Sequence, residues 1–294
     1  MDKKLEEVGK ISYEALQYAK GMVKPGAKML DIAKAAEKYV MDKGYTLAFP
    51  TNISVNDEAA HYTPKYNDTK TIGEHDVVKV DFGARSGDFL SDCAVTVDLS
   101  GKYGKLVEAT EKAVDAGISV AKAGTKVRDI GKEVEKIVRD AGFEPVKNLG
   151  GHGIKAGELH ADIFIPNFDN GDETELEEGQ TIAIEVFATD GEGYVKDGEA
   201  VEIFRKFEGV QVRSKDSREV ASFIDESYST YPFAARWLME HFDSEFKVRS
   251  ALNEFAIANG IETFPVLVER SKGIVAQTEK AMVVEKDSCT VITK

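Results

Sequence analysis

The composition of the chain sets the first limits on what it can be. Its 294 residues are 42% hydrophobic and 31% charged, which is the balance of a globular protein with a substantial core. The net charge of −14 argues against a nucleic acid or an anionic membrane as the main partner. No apolar stretch is long enough to cross a bilayer, and the charged N-terminus lacks the apolar core of a signal peptide, so a cytoplasmic protein is expected. Cys93 and Cys289 form neither a metal spacing nor a disulfide framework, and both are predicted to be reduced thiols.

Hydrophobic periodicity divides the chain into helices and strands. Apolar residues at helical spacing predict helices over about 4–22, 29–42, 104–122 and 127–141. Strands are predicted at about 77–82, 89–99, 181–187, 273–284 and 288–293. Residues 208–262 are helical and polar-faced within a second half that is otherwise rich in strands. They are therefore predicted to form a helical subdomain inserted into the chain.

The chain contains a weak internal repeat. Residues 26–44 and 124–142 align without gaps at an offset of 98, with 10 identities in 19 positions that include the bounding glycines. The same offset brings His61 to within one residue of His160. The repeat predicts an α/β (α+β) chain with pseudo-twofold halves and a site between them, to which each half contributes one histidine.

Two aspartates lie on what is predicted to be a single β-hairpin. Asp81 ends the segment Val-Lys-Val-Asp, and Asp92 precedes Cys-Ala-Val-Thr-Val. If Ser86 and Gly87 are the two loop residues, the aspartates face each other directly, with Cα atoms roughly 5 Å apart. Two anions so placed in an apolar hairpin repel each other unless they share a proton or bind cations. The pair is therefore a candidate metal site.

Other polar residues stand in surroundings where burial is costly. Glu185 lies within Ile-Ala-Ile-Glu-Val-Phe, Glu279 follows Ile-Val-Ala-Gln-Thr, and His152 lies among glycines. Any one of the acids alone could cap a turn or pair with a lysine. Together with Asp81 and Asp92, these residues form a hard ligand set that suits Mn, Fe, Co or Zn. Four carboxylates exceed the need of one divalent ion, which favours two ions with shared ligands.

The ordered set of these residues resembles the metal ligands of the methionine aminopeptidases, which have the pita-bread fold. The resemblance covers nearly the whole chain and rests on Asp81, Asp92, Gly-His152-Gly-Ile, Ile-Glu185-Val-Phe and Ala-Gln-Thr-Glu279. Segments 50–56, 59–64 and 232–238 resemble the type II form, and the N-terminus without a polybasic extension resembles the archaeal enzymes. The resemblance implies a single catalytic domain over residues 1–294, with 208–262 as its inserted subdomain.

The resemblance also implies roles for the five ligands. Asp81 would bind one ion, and His152 with Glu185 would complete the second. Asp92 and Glu279 would bridge both ions. Glu185 would also carry a proton for the bridging hydroxide that attacks the methionyl carbonyl. The implied reaction is removal of the initiator methionine from nascent proteins whose second residue is small.

Four further residues match family positions that contact the substrate. His61 and His160 would contact the scissile peptide, one near the amide nitrogen and one near the oxyanion, where a donor contributes on the order of 3 kcal/mol. Phe49 and Phe264 would surround the methionine side chain, although both also fit ordinary core positions. The implied partners are the N-termini of nascent polypeptides, with the ribosome as a further candidate. A monomer without membrane or direct nucleic-acid contact is expected.

The sequence departs from the family beside the last ligand. The family usually has Phe before this glutamate and His after it, whereas Thr278 and Lys280 flank Glu279 here. Lys280 is expected on the opposite face of the strand, so the ligand itself is retained. Two other interpretations remain open: a pita-bread relative with Xaa-Pro specificity, and a non-catalytic binding protein with the same fold.

Overall fold

The computed structural model describes residues 2–294, which form a mixed arrangement of helices and strands. The helices are α1 (Lys3–Met22), α2 (Met29–Asp42), α3 (Gly104–Val120), α4 (Val127–Asp140), α5 (Lys215–Ser227), α6 (Ala235–Phe242) and α7 (Glu245–Ile257). The first strands are β1 (Thr46–Leu47), β2 (Asn52–Val55), β3 (Glu58–Ala60), β4 (Val77–Phe82), β5 (Ala84–Ser86), β6 (Phe89–Leu90) and β7 (Cys93–Asp98). They are followed by β8 (Glu144–Pro145), β9 (Gly150–Lys155), β10 (Glu158–Pro166), β11 (Thr181–Thr189), β12 (Val195–Lys206), β13 (Phe233–Ala234), β14 (Ile261–Glu269), β15 (Val275–Val284) and β16 (Cys289–Val291). Among these residues no helix is both long and apolar enough to cross a membrane.

The central sheet repeats its strand arrangement about its middle. The order is β10-β9-β11-β15-β7-β4-β2, with β16 paired to β15 and β8 to β11. β7 and β15 meet at the centre, β4 and β11 flank them, and β2 and β9 lie outside those. Helices α2 and α4 have the same length and begin at Met29 and Val127, which are separated by the offset of the sequence repeat. The predicted pseudo-twofold halves are thereby confirmed.

The turn before each repeat helix has the same construction. Gly26 N donates to Ile72 O at 2.8 Å, and Gly124 N donates to Leu176 O at 2.8 Å. The two glycines have φ values of +79° and +81°. Glycine adopts a positive φ without steric cost, so the same backbone conformation explains why the repeat has glycine at both positions.

The helices of both halves cover one face of the central sheet. Even-numbered residues of β4 and β11, such as Val80 and Ile184, are buried against them. Burial of such a side chain contributes about 1.5–3 kcal/mol. Successive strand residues point to opposite faces, so odd-numbered residues such as Asp81 and Glu185 lie on the face away from the helices. That face is where the candidate site is built.

The predicted register of the Asp81 hairpin is wrong. Asp81 pairs with Ala94 rather than with Asp92, because the loop residues are Gly87 and Asp88, one position later than predicted. Gly87 has a φ of +59°, and a positive φ at the first loop residue is the type II′ geometry that matches strand twist. Asp92 still lies an even number of residues from Ala94, so both aspartates remain on one face.

A second sheet shares a core with the last three helices, α5, α6 and α7. Its order is β13-β12-β14-β3, and β12 and β14 form a long antiparallel pair that the sequence analysis did not predict. Helices α5, α6 and α7 lie between these two strands in the chain. Their shared core includes Phe233, Leu238 and Phe255, all fully buried. The bounds of 208–262 for an inserted subdomain stay a prediction.

The start of α5 depends on the carboxylate of Glu254. It accepts hydrogen bonds from Ser217 Oγ at 2.6 Å and from Ser214 N at 3.2 Å. These donors and the backbone N–H of Arg213, with Ser217 the largest contributor, lower the pKa of Glu254 from 4.5 to about 2. A carboxyl with a lowered folded-state pKa stabilises the fold above its unfolded pKa and loses this contribution as the pH falls through the folded value.

We therefore expect a Glu254→Gln variant to have a lower Tm than wild type at pH 6. The difference should shrink as the pH falls from 4.5 to about 2, where Glu254 becomes protonated in the folded chain. Thermal unfolding followed by circular dichroism over this range measures it. A Tm difference that does not change with pH would contradict the prediction.

Candidate metal centre

One row of residues crosses the middle of the central sheet. Directly opposed pairs join Asn52 to Asp81, Asp81 to Ala94, Ala94 to Glu279 and Glu279 to Glu185. Directly opposed residues on neighbouring strands share a face, so the three carboxylates of the row lie together on the face away from the helices. Ala94 places only a methyl group between Asp81 and Glu279, which leaves space above the row.

Asp92 and His152 complete the cluster. Asp92 lies two positions before Ala94, and His152 is paired with Ala183 on the same face of β11. His152 Nε2 lies 3.5 Å from Asp92 Oδ2 and 3.7 Å from Glu279 Oε1. All five predicted ligands are therefore brought to one place.

The ligand atoms fall into two groups that share Glu279. One group contains Asp92, His152 and Glu279. The other contains Asp81, Glu185 and Glu279, and within each group the atoms lie within 4.8 Å of one another. Glu279 thus stands where a bridging ligand would. The grouping differs from the one that the resemblance implies, because Glu185 lies with Asp81 rather than with His152 and Asp92 belongs to one group only.

Burial makes this concentration of negative charge costly. Desolvation, and after it the repulsion of neighbouring carboxylates, raises the pKa of Asp81, Glu185 and Glu279 well above the usual values. Three buried oxygens, Asp81 Oδ1, Asp92 Oδ1 and Glu279 Oε1, have no hydrogen-bond donor among residues 2–294. Divalent cations would relieve the repulsion and satisfy these oxygens. The donor set therefore fits the metal that the sequence predicts.

His152 is oriented as a ligand. Its Nδ1 lies 3.2 Å from the carbonyl oxygen of Gly153, and a carbonyl can only accept. Nδ1 therefore carries a hydrogen, and Nε2 is the ring nitrogen left for a metal ion. Nε2 is the nitrogen that faces Asp92 and Glu279.

Gln277 belongs to the site, although the sequence analysis gave it no role. Its Nε2 donates to Asp81 Oδ2 at 2.9 Å and to Glu185 Oε1 at 2.7 Å. Its backbone is held by Thr96, whose Oγ1 donates to Gln277 O at 2.7 Å. Gln277 lies two positions before Glu279 on β15, so strand alternation alone could have placed it on the ligand face.

A cavity of about 280 Å³ lies above the cluster. The predicted substrate-contacting residues His61, His160, Phe49 and Phe264 all line it. Further apolar walls come from Leu149, Leu159, Phe164, Phe187, Ile203 and Pro232. These six could not be predicted from the sequence as cavity residues, because they lie on separate elements that only the tertiary structure brings together.

The two histidines follow corresponding strands of the two halves. His61 comes directly after β3, the strand that follows β2, and His160 lies on β10, the strand that follows and pairs with β9. His61 has a φ of +66°, and its ring meets the Phe264 ring edge-on with centroids 5.8 Å apart. The His160 ring meets that of His152 edge-on at 4.4 Å. Each half therefore supplies one imidazole beside the ligands, as the repeat predicts.

His61 presents an acceptor. Burial lowers the pKa of His61 from 6.5, so the imidazole is neutral at pH 7. Its Nδ1 lies 3.2 Å from Pro265 O, which requires a hydrogen on Nδ1. The lone pair of the ring is then on Nε2.

The residues that depart from the family are accommodated on the helix side of β15. Thr278 Oγ1 lies 2.8 Å from Thr110 Oγ1 of α3, and Lys280 Nζ donates to Asp115 Oδ1 of the same helix at 2.6 Å. The expectation that Lys280 points away from Glu279 is confirmed. Both substitutions therefore alter packing against α3 and leave the ligand face unchanged.

The known sequences to which this chain is similar are those of metallopeptidases. Residues 3–220 match metallopeptidase family M24. The chain is 40% identical over 291 residues to the methionine aminopeptidase of Archaeoglobus fulgidus, a match that covers 99% of this chain and 98% of that protein. It is 38% identical over 292 residues to the methionine aminopeptidase of Saccharolobus solfataricus, with 99% and 97% covered.

Solved structures share the fold at lower sequence identity. The methionine aminopeptidase of Thermotoga maritima matches with a TM-score of 0.70 at 21% identity, covering 99% of this chain and 96% of that one. A thermophilic Arx1 matches with a TM-score of 0.84 at 17% identity, covering 99% and 89%. These similarities confirm the predicted pita-bread fold. The chain belongs to metallopeptidase family M24.

Proposed function

We propose that the chain is an aminopeptidase that removes the N-terminal methionine from polypeptides. The observation that carries the proposal is the row of carboxylates with His152 at the floor of a mainly apolar cavity. The relatives that share 38–40% of its residues over almost their full length are methionine aminopeptidases. The substrates are the N-termini of nascent chains, and we place the enzyme in the cytoplasm as a monomer, with the ribosome as a candidate partner.

The five clustered side chains would hold two divalent ions of the Mn, Fe, Co or Zn class. These are Asp81, Asp92, His152, Glu185 and Glu279. Such ions supply Lewis acidity that polarises the scissile carbonyl and acidifies a water molecule. Gln277 supports the arrangement by fixing one oxygen each of Asp81 and Glu185.

The protein groups around the ligands divide the remaining work. The lone pair on His61 Nε2 suits the N–H of the scissile amide, and His160 would stabilise the negative charge that develops on the carbonyl oxygen. The carboxylate of Glu185 would take a proton from the attacking water and deliver it to the leaving amine. His61 and His160 thus act on different atoms of the peptide, and Glu185 supplies the proton that the leaving nitrogen needs.

The cavity walls account for the choice of residue. A methionine thioether packs well on aromatic edges, and Phe49 and Phe264 supply these. The cavity holds only about 280 Å³ and is bounded by both halves and by Pro232, so the methionine side chain would take up much of its space. The second residue of the substrate should therefore be small.

Hydrolysis of Met-Ala-Ser by wild type and by Asp81→Ala, each supplied with Mn²⁺, Co²⁺ or Fe²⁺, tests the proposal. Wild type should release methionine, and the variant should not. Equal rates, or no release by either protein with any of the ions, would overturn it. Preferential cleavage of an Xaa-Pro peptide would instead assign the specificity of another member of the fold.

Ala94 should be sensitive to size, because it lies between Asp81 and Glu279 in the row. Ala94→Leu would fill the space above the row, and overpacking of about 1–3 kcal/mol corresponds to roughly 5- to 150-fold in Mn²⁺ affinity. Ala94→Ser, which adds a single oxygen, is the matched control and should bind Mn²⁺ nearly as wild type does. Calorimetric titration with Mn²⁺ measures both, and wild-type affinity in Ala94→Leu would refute the prediction.

A further inference from the structure

One buried carboxylate outside the metal centre joins three distant segments. Glu37 of α2 is 4% exposed. It accepts hydrogen bonds from Arg236 Nη2, from Trp237 Nε1 at 3.0 Å and from Thr51 N at 3.3 Å. Arg236 and Trp237 begin α6, whereas Thr51 leads into β2. A single side chain therefore ties the helical segment of the second half to the first half.

Both segments tied by Glu37 continue directly into walls of the cavity. Thr51 stands between Phe49 and Asn52, which line it, and Asn52 is the partner of Asp81 in the row. On the α6 side, Arg236 lies four residues after Pro232, which also lines the cavity. The carbonyl of Thr51 also accepts a hydrogen bond from Thr63 Oγ1 at 2.9 Å, close to His61 in the chain. Glu37 lines no part of this cavity.

The chemistry of the Glu37–Arg236 contact favours a role in positioning the joined segments over a role in stabilising the fold. Desolvation raises the pKa of Glu37, and the charge of Arg236 opposes this effect. Arg236 Nε and Nη1 are buried without an acceptor among residues 2–294. A buried ion pair loses hydration on both partners, so apolar residues of similar volume often stabilise a fold as well or better. What apolar residues cannot reproduce is a carboxylate that fixes three donors in one relative arrangement.

The equivalent helix of the other half lacks this arrangement. The repeat places Glu135 of α4 where α2 has Glu37. Glu135 also accepts from a backbone N–H, that of Asp169 at 3.1 Å, but its other partner is Arg139 on its own helix. Both glutamates therefore accept from a distant backbone N–H, but only Glu37 is paired with an arginine of another helix.

We propose that Glu37 is a positioning residue that sets the separation of the Phe49 and Pro232 walls through Thr51 and Arg236. It touches neither substrate nor metal ligands, so its loss should weaken binding of the methionyl side chain without altering the chemical step. A variant that raises KM at unchanged kcat has lost binding that ground state and transition state share. The inference rests on the proposed function.

The test is the double variant Glu37→Leu/Arg236→Met, which removes both charges and keeps an apolar filling. We expect a folded protein that binds Mn²⁺ as wild type does. Its KM for Met-Ala-Ser should rise on the order of 10-fold, as small misplacements far from the reacting atoms can produce, with kcat within about 2-fold of wild type. The matched control, Lys34→Met/Glu240→Gln, breaks the exposed 2.7 Å ion pair between the same two helices and should leave KM unchanged.

Glu37→Gln extends the test if the double variant does not fold, with Glu135→Gln as its equivalent control in the other half. The inference is overturned if a folded Glu37 variant has the wild-type KM. It is also overturned if KM, kcat and Mn²⁺ binding all worsen together, because Glu37 would then support the fold in general. A wild-type protein that does not cleave Met-Ala-Ser would overturn the proposed function and this inference with it, whereas an active wild type with unchanged variants overturns the inference alone.

Discussion

Replacing Glu279 with alanine should lower kcat/KM for a methionyl peptide by about 10³-fold or more, because metal ions contribute several kcal/mol to such a transition state. Glu279 is the residue that both ligand groups share, and its Oε1 is one of the buried oxygens without a donor. Its loss should therefore disturb binding of both ions, whereas loss of Asp81 removes a ligand from one group. Mn²⁺ titration should show weaker binding at every site of the Glu279→Ala protein.

Lys280→Met supplies the matched control for this substitution. Lys280 is the next residue of β15, but its side chain pairs with Asp115 of α3 on the opposite face. Its removal should leave Mn²⁺ binding and kcat/KM near wild type and should cost at most the small contribution of an exposed ion pair, about 0–1 kcal/mol. Retained activity in Glu279→Ala, or an equal loss in Lys280→Met, would show that the ligand face has been assigned to the wrong side of the strand.

The candidate metal ligands could be predicted because each has a recognisable feature in its local sequence. A charged residue in an apolar strand is costly, and strand alternation then says which of its neighbours share its face. Asp81, Glu185 and Glu279 were found in this way, and the structure places them in one row. Gln277 is a neutral amide, which costs less to bury than a charged group. For this reason it was not predicted, although the same strand alternation applies to it.

The pairing of strands was harder to predict than their positions. The register of the Asp81 hairpin depends on which loop residue takes a positive φ, and Ser-Gly-Asp allows two choices that differ by one residue. β12 was not predicted because its sequence contains many polar residues and lacks regular alternation. It is a strand because β14 pairs with it across the chain segment that holds α5 to α7. Such long-range pairing leaves no local signal.

The residues that line the cavity were equally hard to predict from the sequence. Phe49 was proposed from resemblance, whereas Ile203 and Pro232 could not be linked to it from the sequence. Ile203 is brought there by its pairing with Ala234 of β13, close to Pro232 in the chain. The candidate metal ligands can therefore be predicted one strand at a time, whereas the residues that line the candidate substrate pocket depend on how the second sheet and its helices are placed.

Replacing His61 or His160 should slow the chemical step and leave the binding of methionine unchanged. His61→Ala should lower kcat for Met-Ala-Ser by roughly 10²–10³-fold with KM changed little, since it removes a group that acts on charge or protons developed in the transition state. His160→Ala should have an effect of similar size. His75→Ala is the control, because His75 is exposed and outside the cavity.

The double variant separates shared from distinct roles. If His61 faces the scissile amide nitrogen and His160 the carbonyl oxygen, their effects on log kcat should add, as expected for groups that act on different atoms. If both serve the same atom, the double variant should be little worse than either single one. A rise in KM at unchanged kcat in His61→Ala would contradict the proposed role, and it would make the imidazole part of the methionine pocket beside Phe264, which its ring already contacts.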